Sequence, residues 1–236
     1  MPASTAGPAS TAGEQQTPLA ARREVRILVV DDHQAVRVGL QQLLEDQPGF
    51  TVVAAVATAE AAVEHGELEG VDVAVVDYHL GGHNGLWVSR KLKQLERPPS
   101  VVIFSAFAND HLAASCAVAG VDALLSKSGL GSELCDAVRL VAGGRRLLPR
   151  VPQPMADLLR QRLDAAEQVT FGMLLAGIGR GEVCETLEIS SAELAAQETS
   201  MLAKLETLPG ELIHDPGHGG LDFDRLIPRR ERPTAS

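Results

Sequence analysis

The 236-residue sequence predicts an α/β fold followed by a smaller all-α region. Three observations predict it. Short runs rich in Val and Ile, bounded by turn residues, alternate with helix-like segments, the pattern of buried parallel strands and their crossovers. Four of these runs end abruptly in a polar side chain, at the sheet edge where open α/β folds bind ligands. Beyond them, a Pro- and Arg-rich stretch opens a region that reads as helix, short turn, helix.

The elements follow in order. Residues 1–23 hold a tandem repeat, Pro2 to Gly7 then Pro8 to Gly13. The stretch is too small, polar and Pro/Gly-rich to offset the entropy of ordering, so a disordered tail is expected. Val25 to Val30 is the first strand. Val36, Leu40, Leu43 and Leu44 then fall on one helix face, and Gly49 ends that helix. Thr51 to Ala57 reads as strand and Ala59 to His65 as helix. Val71 to Val76 is a third strand running into Asp77. Leu86 to Leu95 is helical and stops before Pro98-Pro99. Val101 to Phe104 is the fourth strand, and Asp110 to Ala119 an Ala-rich helix closed by Gly120. Val121 to Leu125 and Glu133 to Ala142 complete the set. Five strand–helix repeats imply a parallel sheet with right-handed crossovers and helices on both faces. A flavodoxin-like strand order, 2-1-3-4-5, lets strands one, three, four and five surround one site.

That site is legible at the strand ends. The first strand runs into Asp31 and Asp32, the third into Asp77, the fourth into Ser105, and the fifth into Ser126-Lys127. Carboxylates brought this close repel unless a cation sits between them. Oxygen ligands alone suit a hard divalent ion such as Mg2+. His33, His79 and His83 read as loop polar groups rather than a zinc site.

This ordered set resembles the receiver domain of two-component response regulators, over Val25 to about Gly144. The resemblance implies that Asp77 is a phosphoryl acceptor served by a sensor histidine kinase. It implies Asp32 and Asp77 as direct Mg2+ ligands, Asp31 acting through water, and the main-chain carbonyl of His79 as a further ligand. Lys127 would set a charge on a phosphoryl oxygen, and Ser105 would donate a hydroxyl to it. No other catalysis is implied. Two departures stand out. The loop after the acceptor, Leu80-Gly81-Gly82, lacks the usual Pro, which implies more freedom there. The position three before the lysine, usually Tyr or Phe, is Leu124, which cannot signal through a phenol. The usual coupling between phosphorylation and the neighbouring surface is therefore expected to differ.

By boundaries, the reading gives a tail at 1–23, a receiver at 24–144, a linker at 145–154, a helix-turn-helix-like domain at 155–208 and a flexible tail at 209–236. The helical domain resembles the LuxR type from Leu163 to Leu205, through Leu163, Glu167, Gly177, Glu182, Leu187, Ile189, Ser190, Leu194, Lys204 and Leu205. That implies DNA as a partner and a second copy of the chain as another. Arg180, Gln197 and Lys204 are the candidate DNA contacts. Charge opposes this output. Residues 155–208 carry nine acidic and four basic side chains, a net of −5, whereas DNA affinity rests on cations. The reading segment Ser191 to Ser200 holds Glu193 and Glu198 and no cation, and Leu208-Pro209-Gly210 replaces the family's last helix. Two outputs are expected to compete: a DNA-binding transcription regulator, or a regulator whose helical domain binds protein.

Composition sets the remaining bounds. A net charge of −10 argues against the whole chain being a general polyanion binder. Cys116, Cys135 and Cys184 lack metal-ligand spacing and read as buried thiols of a reducing compartment. No leader pattern or long apolar run is legible, so a cytoplasmic protein is expected.

Overall fold

The computed structural model describes residues 24–68 and 70–206. The expected tails at 1–23 and 209–236, and the Leu208-Pro209-Gly210 segment, lie outside the described residues. The first half alternates strand and helix: β1 (Val25–Val30), α1 (Gln34–Glu45), β2 (Phe50–Val56), α2 (Ala59–Leu68), β3 (Val73–Asp77), α3 (Gly85–Leu92), β4 (Ser100–Ser105), α4 (Asp110–Val118), β5 (Ala123–Ser126) and α5 (Gly131–Ala142). Helices α6 (Gln153–Arg160), α7 (Ala165–Leu175), α8 (Arg180–Leu187) and α9 (Ser191–Glu206) follow. The sheet has the order β2-β1-β3-β4-β5, as read from the sequence, and its ladders are parallel.

Period-two alternation divides the core between the faces of the sheet. Ile27 and Val29 of β1, Val73 and Val75 of β3 and Val102 of β4 meet α1 and α5 on one side. Leu28, Val30, Ala74, Val76, Val101 and Ile103 point to the other side, toward α2, α3 and α4. Every residue of β3 is buried, including its terminal Asp77.

The second face of the core does not stop at the receiver. The same apolar cluster runs on through Leu159, Leu163, Phe171, Leu174, Val183, Leu194, Met201, Leu202 and Leu205. Helix α4 explains how. Each residue from Leu112 to Val118 is buried, because the helix lies between the sheet and α6, α7 and α9. An all-round apolar helix is suited to that place.

The segment expected to be a linker is also fastened. Leu147 is buried, pairs with Ala123 at the edge of β5, and exchanges hydrogen bonds with Asp122 and Leu124. The Arg146 guanidinium donates to the carbonyls of Ala117, Val121 and Leu174, at 3.3, 3.3 and 3.4 Å. It thus serves carbonyls at the C-terminal ends of both α4 and α7. Helix α6 begins at Gln153, two residues before the expected start of the helical domain.

Candidate functional site

Strands β1, β3, β4 and β5 end on one edge of the sheet, and their last side chains converge there. Asp31 is 1% exposed and Asp77 5%. Lys127 Nζ lies 2.7 Å from Asp31 Oδ2 and 2.7 Å from Asp77 Oδ2. Burial pulls the Lys127 pKa down, but the hydrogen bonds and charges of Asp31 and Asp77 outweigh it, so the ammonium titrates above the usual lysine range. Lys127 is placed by its own backbone, whose N–H donates to the Ser105 carbonyl at 2.8 Å. Ser105 is fully buried, and its Oγ accepts the Phe107 N–H at 3.1 Å.

Asp31 Oδ1 accepts the His33 N–H at 2.8 Å, and Asp77 Oδ1 faces the His79 N–H at 3.4 Å. Asp32 is half-exposed at the rim, with His33 Nδ1 2.7 Å from its Oδ1. Ligand atoms from Asp31, Asp32, His33 and Asp77 lie within 4.8 Å of one another. The donor set fits a divalent cation. Three carboxylates meet one ammonium, which leaves an excess of about two negative charges for an oxygen-seeking ion to neutralise.

The loop after the acceptor lacks proline but is pinned by other means. Leu80 is buried, and Gly82 takes a φ of +97°, open to glycine at little cost. Asn84 caps α3 by accepting the Trp87 N–H at 3.0 Å. Gly85 then lies so close to β3 that a Cβ would sit 2.4 Å from the Asp77 carbonyl oxygen.

Comparison with known proteins agrees with this geometry. Residues 27–139 match the response regulator receiver domain family. A LuxR-family two-component response regulator from Aurantimonas sp. SI85-9A1 is 32% identical with a TM-score of 0.52, over 57% of this chain and 97% of that one. This chain belongs to the response regulator family. The similarity of this response regulator to its curated relatives extends beyond the receiver. Response regulator UvrY of Escherichia coli (strain K12) is 26% identical over 196 residues, 77% of this chain and 88% of that protein. The DNA-binding transcriptional activator DevR/DosR of Mycobacterium tuberculosis is 28% identical over 195 residues, with the same coverage.

In this response regulator the three candidate DNA contacts are engaged within the protein. Arg180 pairs with Glu198, which is fully buried. Gln197 Oε1 accepts the Thr170 hydroxyl at 2.6 Å, tying α9 to α7. Lys204 Nζ is 2.5 Å from Glu167 Oε2 and 3.6 Å from Asp164, at the capping box that starts α7. They are spread along α8 and α9 as internal struts, a placement that spacing alone did not reveal. The apolar positions of α9 fall on one face, and its middle meets α3. Arg90 of α3 donates to the Ala195 carbonyl at 3.0 Å and also contacts Thr199. Burial pushes the Glu198 carboxyl up, against the pull of Arg180 and Arg90. Arg90 Nε and Glu198 Oε2 lack hydrogen-bond partners within this contact.

Residues through which α9 meets the receiver, Asn84, Arg90 and His111, were not singled out from the sequence. The signal available was the seven-residue run Leu112 to Val118, too uniformly small and apolar for a helix with one wet face. Among the described residues, no helix is long and apolar enough to cross a membrane.

Proposed function

We propose that the chain accepts a phosphoryl group from a sensor histidine kinase on Asp77 and regulates transcription through its C-terminal helical domain. One observation carries the reading. A half-buried lysine bridges two buried carboxylates at the ends of three strands, with the buried Ser105 completing the set. In the transfer, an Asp77 oxygen attacks phosphorus and the N–P bond of the kinase phosphohistidine breaks. The imidazole leaves with the electron pair and takes up a proton. Catalysis is positioning and charge neutralisation. Asp32, Asp77 and the His79 carbonyl would hold Mg2+, with Asp31 reaching it through water. The ion supplies neutralisation of phosphoryl charge. Lys127 would move from its two carboxylates toward a phosphoryl oxygen, and Ser105 would turn its hydroxyl to another.

The test is incubation with a small phosphodonor and Mg2+, followed by location of the added mass. The label is expected on Asp77 and absent from Asp77→Asn. Equal labelling of the variant overturns the assignment.

A second output is favoured by specific observations. Arg180, Gln197 and Lys204 are occupied within the protein, α9 is turned onto the receiver, and the helical region carries a net of −5. In this reading the helical domain binds a protein target. Anisotropy titrations of the phosphorylated full chain with duplex DNA separate the two. Submicromolar, salt-sensitive binding supports operator recognition, and its absence supports a protein target. The same samples also reveal whether phosphorylation brings two copies together.

A further inference from the structure

The receiver site has an aromatic neighbour other than position 124. Tyr78 follows the acceptor directly and is the chain's one tyrosine. Its ring meets His79 edge-to-face at 4.7 Å, and His79 meets Phe107 likewise at 5.9 Å. The Phe107 N–H donates to Ser105 Oγ. A chain of contacts thus runs from the hydroxyl that would face the phosphoryl group to the residue beside the acceptor.

On its other side Tyr78 packs against the continuous core, which α9 enters with Met201, Leu202 and Leu205. The end of α9 rests on the same loop and on α4. Asn84 Nδ2 donates to Glu206 Oε1 at 3.2 Å, and His111 Nε2 is 2.9 Å from the Leu205 carbonyl oxygen. Tyr78 is tied to that loop directly, since its carbonyl accepts the Gly85 N–H, next to Asn84, at 2.8 Å. Leu124, by contrast, is fully buried and has no polar group to exchange.

We propose that Tyr78 is the positioning residue that carries the state of Asp77 to the C-terminal turn of α9, in place of an aromatic at position 124. The inference rests on Asp77 being the acceptor. When Ser105 turns toward the phosphoryl group, the Phe107 amide must follow or lose its acceptor. Edge-to-face rings are directional, so a shift of Phe107 displaces His79 and then Tyr78. Tyr78 is bonded to Gly85, beside Asn84, and packs against the cluster that holds Leu112 and Leu205, so its displacement loosens that turn.

The experiment uses the full chain with Mg2+ and beryllium fluoride as the phosphoryl mimic. Ring-labelled tyrosine gives one NMR spin system, and it should shift on addition of the mimic. Amides of Met201 to Leu205 should exchange about tenfold faster, as expected for a destabilised local opening. Tyr78→Leu should still take label on Asp77 from a small phosphodonor yet lose the exchange response, and Tyr78→Phe should keep it. A response in Tyr78→Leu equal to the wild type overturns the proposal. So does an unmoved tyrosine signal in wild-type protein that labels normally, which decides the matter should Tyr78→Leu fail to fold. Wild-type protein that takes no label on Asp77 removes the acceptor assignment itself, a separate result.

Discussion

Lys127 shows how one side chain sets the state of the whole site. It neutralises Asp31 and Asp77, which are otherwise almost fully buried carboxylates. Lys127→Met leaves that charge uncompensated and is expected to cost about 3 kcal/mol without Mg2+, the low end for a broken buried pair because the ammonium is partly exposed. Mg2+ should raise the variant's thermal midpoint more than the wild type's, because the ion takes over the lost neutralisation. A pH series in chelator checks the cause. A lysine whose folded pKa is raised contributes stability fully below its unfolded value of about 10.4, and loses it as pH rises through the folded value. The gap between wild type and Lys127→Met should therefore stay flat through neutral pH and close only above about pH 10. At the rim, Asp32→Ala should weaken Mg2+ binding at least about tenfold by calorimetry. An unchanged dissociation constant would remove Asp32 from the ligand set. Asp31, Asp32, Asp77, Ser105 and Lys127 were legible from the sequence because each follows an apolar run, and strand ends share an edge. The partners of Arg180, Gln197 and Lys204 were not, because a contact between helices far apart in sequence leaves no spacing to read.

At the scale of elements, Gly85 fixes how closely α3 follows β3. A Cβ there would meet the Asp77 carbonyl oxygen at 2.4 Å, Ile103 Cδ1 at 3.0 Å and Tyr78 Cα at 3.1 Å. Two of these are backbone atoms that cannot turn aside. Gly85→Ala should cost about 1–3 kcal/mol in denaturant unfolding, as overpacking does. It should also slow labelling of Asp77, because the strain falls on the acceptor's own peptide. Labelling at the wild-type rate would show that the strand end yields without harm to the site. The glycines at 81 and 82 were conspicuous in the sequence, whereas Gly85, just ahead of the helix expected from Leu86, was not. Its need is a close approach between segments, which only the packed structure displays. The order of strands and helices was legible through α5, since periodicity is local, whereas α6 was not read as a helix of its own. The fixed edge at Leu147 was hidden by the prolines and arginines around it, which gave the segment the look of a tether.

At the scale of the molecule, the sequence suggests two domains joined by a linker, and the structure shares one apolar core between them. Ala113 and Ala117 of α4 line a common cavity with Leu148, Val151 and Leu174. Phe171 and Leu174 belong to the same cluster as Val101 and Ile103 of the sheet. Arg146 joins the two sides of the junction, bonding Ala117 and Val121 on one and Leu174 on the other, at about 1.5–3 kcal/mol per bond when the donor is charged. Separate domains would open separately. A shared core should instead make the described chain unfold in one step, with Trp87 fluorescence and far-ultraviolet circular dichroism giving coincident denaturant transitions. Native-state hydrogen exchange is the sharper test, because it assigns an opening free energy to each element. Amides of α7 around Phe171 should open within about 1 kcal/mol of those of β3 around Val75. An α7 that opens several kcal/mol more easily would show a helical domain merely leaning on the receiver. Arg146→Ala should then matter little, whereas in a single cooperative unit it lowers β3 and α7 together. Phosphorylation adds the last distinction. If the α9 end is released while α7 stays with the receiver, only amides near Met201 to Leu205 should lose protection, and α7 should keep the stability of the sheet.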